Sequence, residues 1–450
     1  MNDMPLEEIA ARTVRQALER GATDAECTVA EGDEFEASVR MRQVENLKEA
    51  GSRSAGLRVL VGRRTGSAYT SDLTAEGLDQ LVVSALELAK VTTEDPVAGL
   101  PEPDELGSID VDLRLYSDDI DELDPGAKIR LARDAEEAAL SHDARVANSE
   151  GASFDSVTGY NVFANSRGFL GSYRASRCSL SVVPVAKDGE SMERDYWYSL
   201  SRSAAGLEAP AEVGRKAAER AVRRLNPRKV TSQKVPVVFE PRVARSLLGH
   251  LFEAVNGDAV YRNASFLAGK LGERVASEKL TVIDDGTIPG LFGSAPFDDE
   301  GVPTRRTVVV NRGVLESYLL NTYTARKLGL KTTGSASRGI AGNAGVGHGN
   351  LFAEPGGVPP AEIIQSVRRG LYVTELIGFG VNVVTGDYSR GATGLWIENG
   401  ELTYPVSEVT IAGNLREILN RIEAAGDDLE FRGSTACPTL LIGELMVSGQ

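Results

Sequence analysis

The sequence predicts an α+β chain, with N-terminal α/β modules of helix–strands–helix order followed by a β-rich C-terminal domain. Three observations carry this. The order helix, short strands, helix occurs twice before residue 230. From Leu280 onward strand-like runs dominate, joined by glycine-rich loops. The pattern is not the regular strand–helix alternation of a doubly wound dinucleotide fold. At 450 residues the chain is about three times the roughly 150 residues of one domain. Three segments are expected, 1–105, 112–228 and 229–450.

Each element has its own signal. Leu6, Ile9, Val14 and Leu18 recur at helical spacing, and Gly21 supplies a stop. Short strands are expected over 26–30, 35–43, 55–61 and 66–71, separated by turns containing glycine and charge. Thr74 reads as the N-cap of a helix with Leu78, Leu81, Val82, Ala85 and Leu86 on one face. Residues 95–103 are rich in proline and polar residues and read as a linker. Asp124-Pro125 opens the next helix, with Asp at the cap and Pro at the first helical position. Strand-like material fills 144–199, and a helix over 210–225 closes the segment. Beyond Asn226-Pro227, a buried-type strand at 235–239 precedes a helix at 241–255. Strands are then expected at 280–283, 306–311, 371–376, 380–385 and 394–397, with helices at 360–369 and 415–425.

Composition removes several functions. Lys and Arg number 49 against 65 Asp and Glu, a net charge of −16, so the chain as a whole repels nucleic acid phosphate. The one dense basic cluster, at 215–228, reads as the solvated face of a helix. No run of eighteen apolar residues exists, and the acidic, amphipathic N-terminus is unlike a secretory signal. Cys27, Cys178 and Cys437 are odd in number and far apart, which fits a reducing compartment, the cytoplasm, better than a disulfide framework.

The residues offer little conventional chemistry. Only His142, His250 and His348 are present. There is no G-x-S-x-G elbow and no phosphate-binding G-x-x-x-x-G-K-[ST] loop. The glycine-rich run 339–350 reads as a tight loop. A zinc hydrolase sets two histidines around one ion beside a glutamate base, and no such pair occurs. His250 and Glu253, three apart on a helix, supply two donors without a third and read as a surface pair. His142, at a helix end, is explained by the helix dipole. The acidic runs Asp284-Asp285-Gly286 and Asp298-Asp299-Glu300-Gly301 could hold a cation or do acid/base work. Turns in which Asp accepts backbone hydrogen bonds are the favoured reading.

Several ordered stretches nonetheless resemble one family. GLRVLVGRRTGSAYTSDLT at 56–74, TVIDDGT at 281–287, DDEGVPT at 298–304, GFGVNVVTGDYSRGATGLWIENG at 378–400 and VTIAGNL at 409–415 are similar to blocks of TldD/PmbA proteins, the last two to the PmbA (TldE) branch in particular. The resemblance is collinear over nearly the whole chain. It implies a heteromeric peptidase whose TldD-type subunit carries H-E-x-x-x-H on a helix before a Gly-Asp step, with a later cysteine ligand. Here the step is Gly257-Asp258. Counting back without a gap puts Leu248 and Glu253 at the two histidine positions and Gly249 at the glutamate position.

The resemblance therefore implies a zinc-motif-less subunit with no catalytic or metal-binding residue and no cofactor of its own. Zinc is expected in a TldD-like H-E-x-x-x-H partner, and unstructured peptide is the expected substrate. Nucleic acid and membrane are not expected partners, and the isolated chain is compatible with a monomer or a homodimer. Two alternatives stay open. One is a self-sufficient metallopeptidase using His250, Glu253 and Cys437; the other is a regulatory binding protein. Cys437, in GSTACP at 433–438, is otherwise read as a small buried hydrophobe.

Overall fold

The computed structural model describes residues 4–449. In the first half, α1 (Leu6–Glu19), β1 (Asp24–Arg40), β2 (Gln43–Val61), β3 (Arg64–Thr70) and α2 (Ala75–Val91) come first. They are followed by α3 (Asp119–Glu122), α4 (Pro125–His142), β4 (Val146–Asn165), β5 (Leu170–Asp188), β6 (Ser191–Arg194), β7 (Trp197–Ser201) and α5 (Pro210–Val222). The two helix–strands–helix runs meet in a single sheet of order β3-β2-β1-β4-β5-β6, with β7 also on β5. The expected caps form: Thr74 Oγ1 accepts from Gly77 N at 3.2 Å and Asp124 Oδ1 from Ala127 N at 2.7 Å.

Three local expectations are corrected here. The strands at 26–30 and 35–43 are one strand, β1, because Gly32, Asp33 and Glu34 pair with β2 on one side and β4 on the other. A ladder on both edges satisfies the backbone that a turn would otherwise expose. Gly32 suits this place since a Cβ there would sit 2.7 Å from Thr158 O. β2 also runs on through the exposed residues 43–54, where hydropathy has no alternation to read. In α1 the buried face is Leu6, Ile9, Ala10, Thr13, Val14 and Ala17, leaving Leu18 exposed.

The C-terminal half begins with β8 (Gln233–Phe239), α6 (Pro241–Val255), α7 (Gly257–Tyr261), β9 (Val282–Asp285), β10 (Arg306–Asn311), β11 (Val314–Leu315) and α8 (Thr322–Leu328). Next come β12 (Ala336–Ser337), β13 (Gly345–Val346), β14 (Asn350–Ala353), α9 (Pro360–Ser366), β15 (Arg369–Ile377), β16 (Asp387–Glu398) and β17 (Glu401–Asn414). The chain ends with α10 (Leu415–Asn420), β18 (Ile422–Ala425), β19 (Thr435–Ala436) and β20 (Leu440–Ser448). One sheet has order β17-β16-β15-β8-β20-β18, and an added β17–β20 pairing closes five of these strands into a ring. A second, β11-β10-β9-β14-β19, ends at β19. The helix expected over 415–425 stops at Asn420, because Ile422–Ala425 pairs with β20. Residues 380–385 form a loop rather than a strand, organised by Asn382 Oδ1, which accepts from Val384 N and Thr385 N.

The halves are tied by buried charge. Glu26, on β1, takes Arg58 Nη1 at 2.8 Å and also pairs with Arg338 from the loop after β12, while Arg58 Nε donates to Asn343 Oδ1 at 2.8 Å. Gly56 lets that loop lie on the sheet, since a Cβ there would fall 1.7 Å from Ile340 O. No described helix is long and apolar enough to cross a membrane.

Candidate functional site

Helix α6 is where the implied zinc motif would lie, and its two faces differ. Pro241 takes the first helical position, where its missing N–H costs nothing. Val243, Ala244, Leu247, Leu248, Leu251, Ala254 and Val255 then recur at helical spacing and are buried in the C-terminal core. Arg242, Arg245, Ser246, Gly249 and Glu253 lie outside that core. Leu248 is 1% exposed, so its place points inward. A Cβ on Gly249 would meet no heavy atom within 4 Å, so that place is open.

The other nominated residues do not converge. His250 Nδ1 lies 3.7 Å from Glu253 Oε2, too far for a hydrogen bond. The His250 ring packs edge-on to Tyr388 at 6.2 Å, and burial lowers its pKa, with Glu253 partly opposing. Cys437 follows β19 and is 1% exposed, and burial pushes its thiol well up, away from the thiolate a metal requires. Leu248 and Gly249 have no donor atom. Among the described residues no group of three His, Cys, Asp or Glu could hold a metal ion. This site does not fit zinc.

Two recesses lie near α6: its first turns line one, and His348, which packs on Phe252, lines the other. His348 Nδ1 lies 2.8 Å from Gly349 O, which can only accept, so Nδ1 carries the proton and Nε2 accepts from Thr435 Oγ1 at 3.4 Å. The imidazole also packs edge-on against Phe252 of α6 at 4.8 Å. On one side is a cleft of about 240 Å³ lined by His348, Asp284, Asp298 and Asp299. Asp298 behaves as a turn residue: Oδ1 accepts from Glu300 N and Val302 N, both at 3.0 Å, and Oδ2 from Ala336 N at 2.9 Å. Glu300 accepts from Thr322 N at 2.9 Å where α8 begins. Burial raises the carboxyls of both Asp298 and Asp284, the latter to about 7, and Asp284 differs in that its Oδ1 has no hydrogen-bond partner.

On the other side, a pocket of about 110 Å³ is lined by Arg242, Arg245, Arg432, Trp197, Thr435 and Cys437, among others. The basic cluster at 215–228 helps to build it, which corrects the expectation of a solvated face. Arg215 is solvated and pairs with Glu212 and Glu219. Arg220 is instead buried, holding Glu240 at 2.8 Å and Asp195 at 3.2 Å. Arg224 reaches Glu375 at 2.7 Å. Periodicity marks a helix face; it does not reveal carboxylates arriving from β6, β15 and the loops.

Residues 25–89, 118–225 and 232–449 match, in order, domain 1, the central domain and the C-terminal domain of the PmbA/TldA metallopeptidases. Metalloprotease PmbA of Escherichia coli O157:H7 is 40% identical over 445 residues, covering 98% of this chain and 96% of that protein. The chain belongs to the PmbA/TldD metallopeptidase family. Within it the chain is of the PmbA/TldE type: a Metalloprotease PmbA homolog of Haemophilus influenzae is 37% identical over 450 residues, 99% of this chain and 97% of that one. A solved structure from Bacteroides thetaiotaomicron, described as a modulator of DNA gyrase, superposes with a TM-score of 0.92 at 30% identity, covering 99% of each chain. TldE from Thermococcus kodakarensis has the same fold, with a TM-score of 0.86 at 22% identity over 98% of this chain and 99% of that one.

Proposed function

We propose that this chain is the non-catalytic subunit of a heteromeric TldD/TldE-type metallopeptidase that degrades or trims unstructured peptides in the cytoplasm. The zinc belongs to a TldD-like companion. The observation that carries this is the state of α6: its core face is fully packed, yet Leu248 and Gly249 stand where metal and base chemistry would be needed. A helix kept intact without its donors fits a subunit that shapes a chamber. The C-terminal domain packs against its counterpart in the companion, and an extended peptide is held through its main chain, which tolerates many sequences. A folded substrate would first have to lose about 5–15 kcal/mol of stability, with no ATP-binding loop in this chain to offset it.

Each chain alone, and then the pair, should be incubated with a flexible peptide and with a stable folded domain. Cleavage is expected only from the pair and only of the peptide. Cleavage by this chain alone, or equal cleavage of the folded domain, contradicts the reading. Purified alone and dialysed against dilute zinc, this chain should hold well under one ion. A full equivalent that is lost on His250→Ala would favour a self-sufficient enzyme instead.

A further inference from the structure

We infer that the pocket at the start of α6 binds a carboxylate of the peptide, through Arg242 and Arg245. This rests on the reading that the chain helps to hold peptide, and it adds what part of the peptide this chain recognises.

Glu240 is held by Arg220 at 2.8 Å and Arg223 at 3.3 Å. Glu430 is held by Arg432 at 2.7 Å, and the same guanidinium takes Glu208 at 3.0 Å. The carboxylates around the recess are thus already neutralised. Arg242 and Arg245 form no ion pair among the described residues. Arg242 Nη1 donates to Tyr196 O at 3.2 Å, and its Nε has no hydrogen-bond partner. Arg245 Nη1 donates to Tyr198 Oη at 3.3 Å. In a chain of net charge −16, two unpaired, half-buried guanidinium groups in one recess are a local surplus of positive charge.

The geometry favours a planar anion. Arg242 lies over the Tyr196 ring at 4.2 Å and Trp197 at 5.5 Å, and Arg432 lies over Trp197 at 4.2 Å. Stacking restrains the Arg242 guanidinium in advance, so less rotamer freedom is lost on binding. The forked donors of Arg242 and Arg245 match the two oxygens of a carboxylate. The recess suits a small group, and the chain's net charge of −16 disfavours a polyanion.

Position links the pocket to peptide. Thr435 and Ala436 line it, and they form β19, whose outer side has no strand partner among the described residues. Thr435 also meets His348, which lines the acidic cleft. Arg245 lies four residues, about one turn, before the open Gly249 position. A peptide anchored by its carboxylate would run past the β19 edge and over the outer face of α6.

The carboxylate could be the C-terminus or an Asp or Glu side chain, and titration calorimetry on the full chain alone can separate them. Three N-acetylated, flexible Ala/Ser peptides serve as probes: one with a free C-terminal acid, one amidated, and one amidated with an internal Glu. The acid should bind about tenfold more tightly than the plain amide, the factor expected of one charge-assisted pair. Arg245→Gln should bring the acid down to the amide's affinity and leave the amide unchanged. Arg242→Gln should do the same in part, and it stands in if the first variant melts early. Recovery of tight binding by the internal Glu assigns side-chain carboxylates; no recovery assigns the C-terminus. Equal binding of all three peptides, or a preference that survives both substitutions, overturns the inference. Because no companion and no cleavage are involved, the heteromer reading can fail while this result stands, and the reverse.

Discussion

Helices α5 and α6 bring arginines to the same recess, and the two sets are in opposite states. On α5, Arg220 is buried and held by two acidic side chains, and the neighbouring Arg223 and Arg224, just past the helix end, each reach a carboxylate as well. On α6, Arg242 and Arg245 reach only a carbonyl and a phenol oxygen. A buried cation is tolerated only where opposite charge meets it, so the α5 group is structural. The α6 pair is half-buried, has unused donors and is available. Residue type alone does not separate architecture from binding; the partners do.

The largest effect is expected of Arg220→Met. It takes the nearest cation from buried Glu240 and Asp195, leaving them only the longer contacts with Arg223 at 3.3 Å and Arg224 at 4.0 Å, and should cost about 3–5 kcal/mol, read by denaturant unfolding. Arg242→Met should cost well under half of that. Equal losses would erase the distinction. The same contrast holds between the faces of α6. Leu248→Ala should cost about 2–5 kcal/mol, whereas the open position should respond the other way. Gly249→Ala adds helix propensity without a clash and should raise stability by roughly 0.5–1 kcal/mol.

Between these lies a pH-graded effect. Burial raises the Asp284 carboxyl to about 7, above its value in the unfolded chain. The folded state therefore keeps a proton that the unfolded state has lost, and this favours folding at low pH. The advantage is present below the unfolded value, near 4, and is lost as pH rises through about 7. Asp284→Asn should accordingly gain on the parent across that window, by on the order of 1–3 kcal/mol at pH 8. Melting at pH 4 and pH 8 checks the sign: an offset of the same size at both would rule out titration of Asp284 as its cause. The smallest effect expected is Glu253→Gln, which should leave peptidase activity of the assembled pair unchanged within about twofold. A fall of ~10² or more with assembly intact would make Glu253 a general base.

Much of this was legible in the chain. The α6 boundaries and the Thr74 and Asp124 caps all follow from local spacing and side-chain chemistry. Elements that depend on a partner were not. Gly32 reads as a turn until β2 and β4 pair on both its sides. Residues 422–425 read as helix until β20 claims them. His348 was visible only as part of a glycine-rich loop; its contacts with Thr435 and Phe252 come from elements 87 and 96 positions away in number, counted from residues 348, 435 and 252.

The sequence by itself determined the helix–strands–helix order, the family, and the residue types Leu248, Gly249 and Glu253 on the helix before the Gly257-Asp258 step. Each of these is a property of residue type and short-range spacing. Tertiary structure alone decided which charges are committed and which remain free. Arg220 and Arg245 are the same residue on similar amphipathic helices, and hydropathy treats them alike. Their difference arises because Asp195 and Glu240, from the segments before β7 and α6, converge on one guanidinium and leave the other facing a pocket. Electrostatic energy depends on distance and burial, and neither quantity exists until the chain has folded.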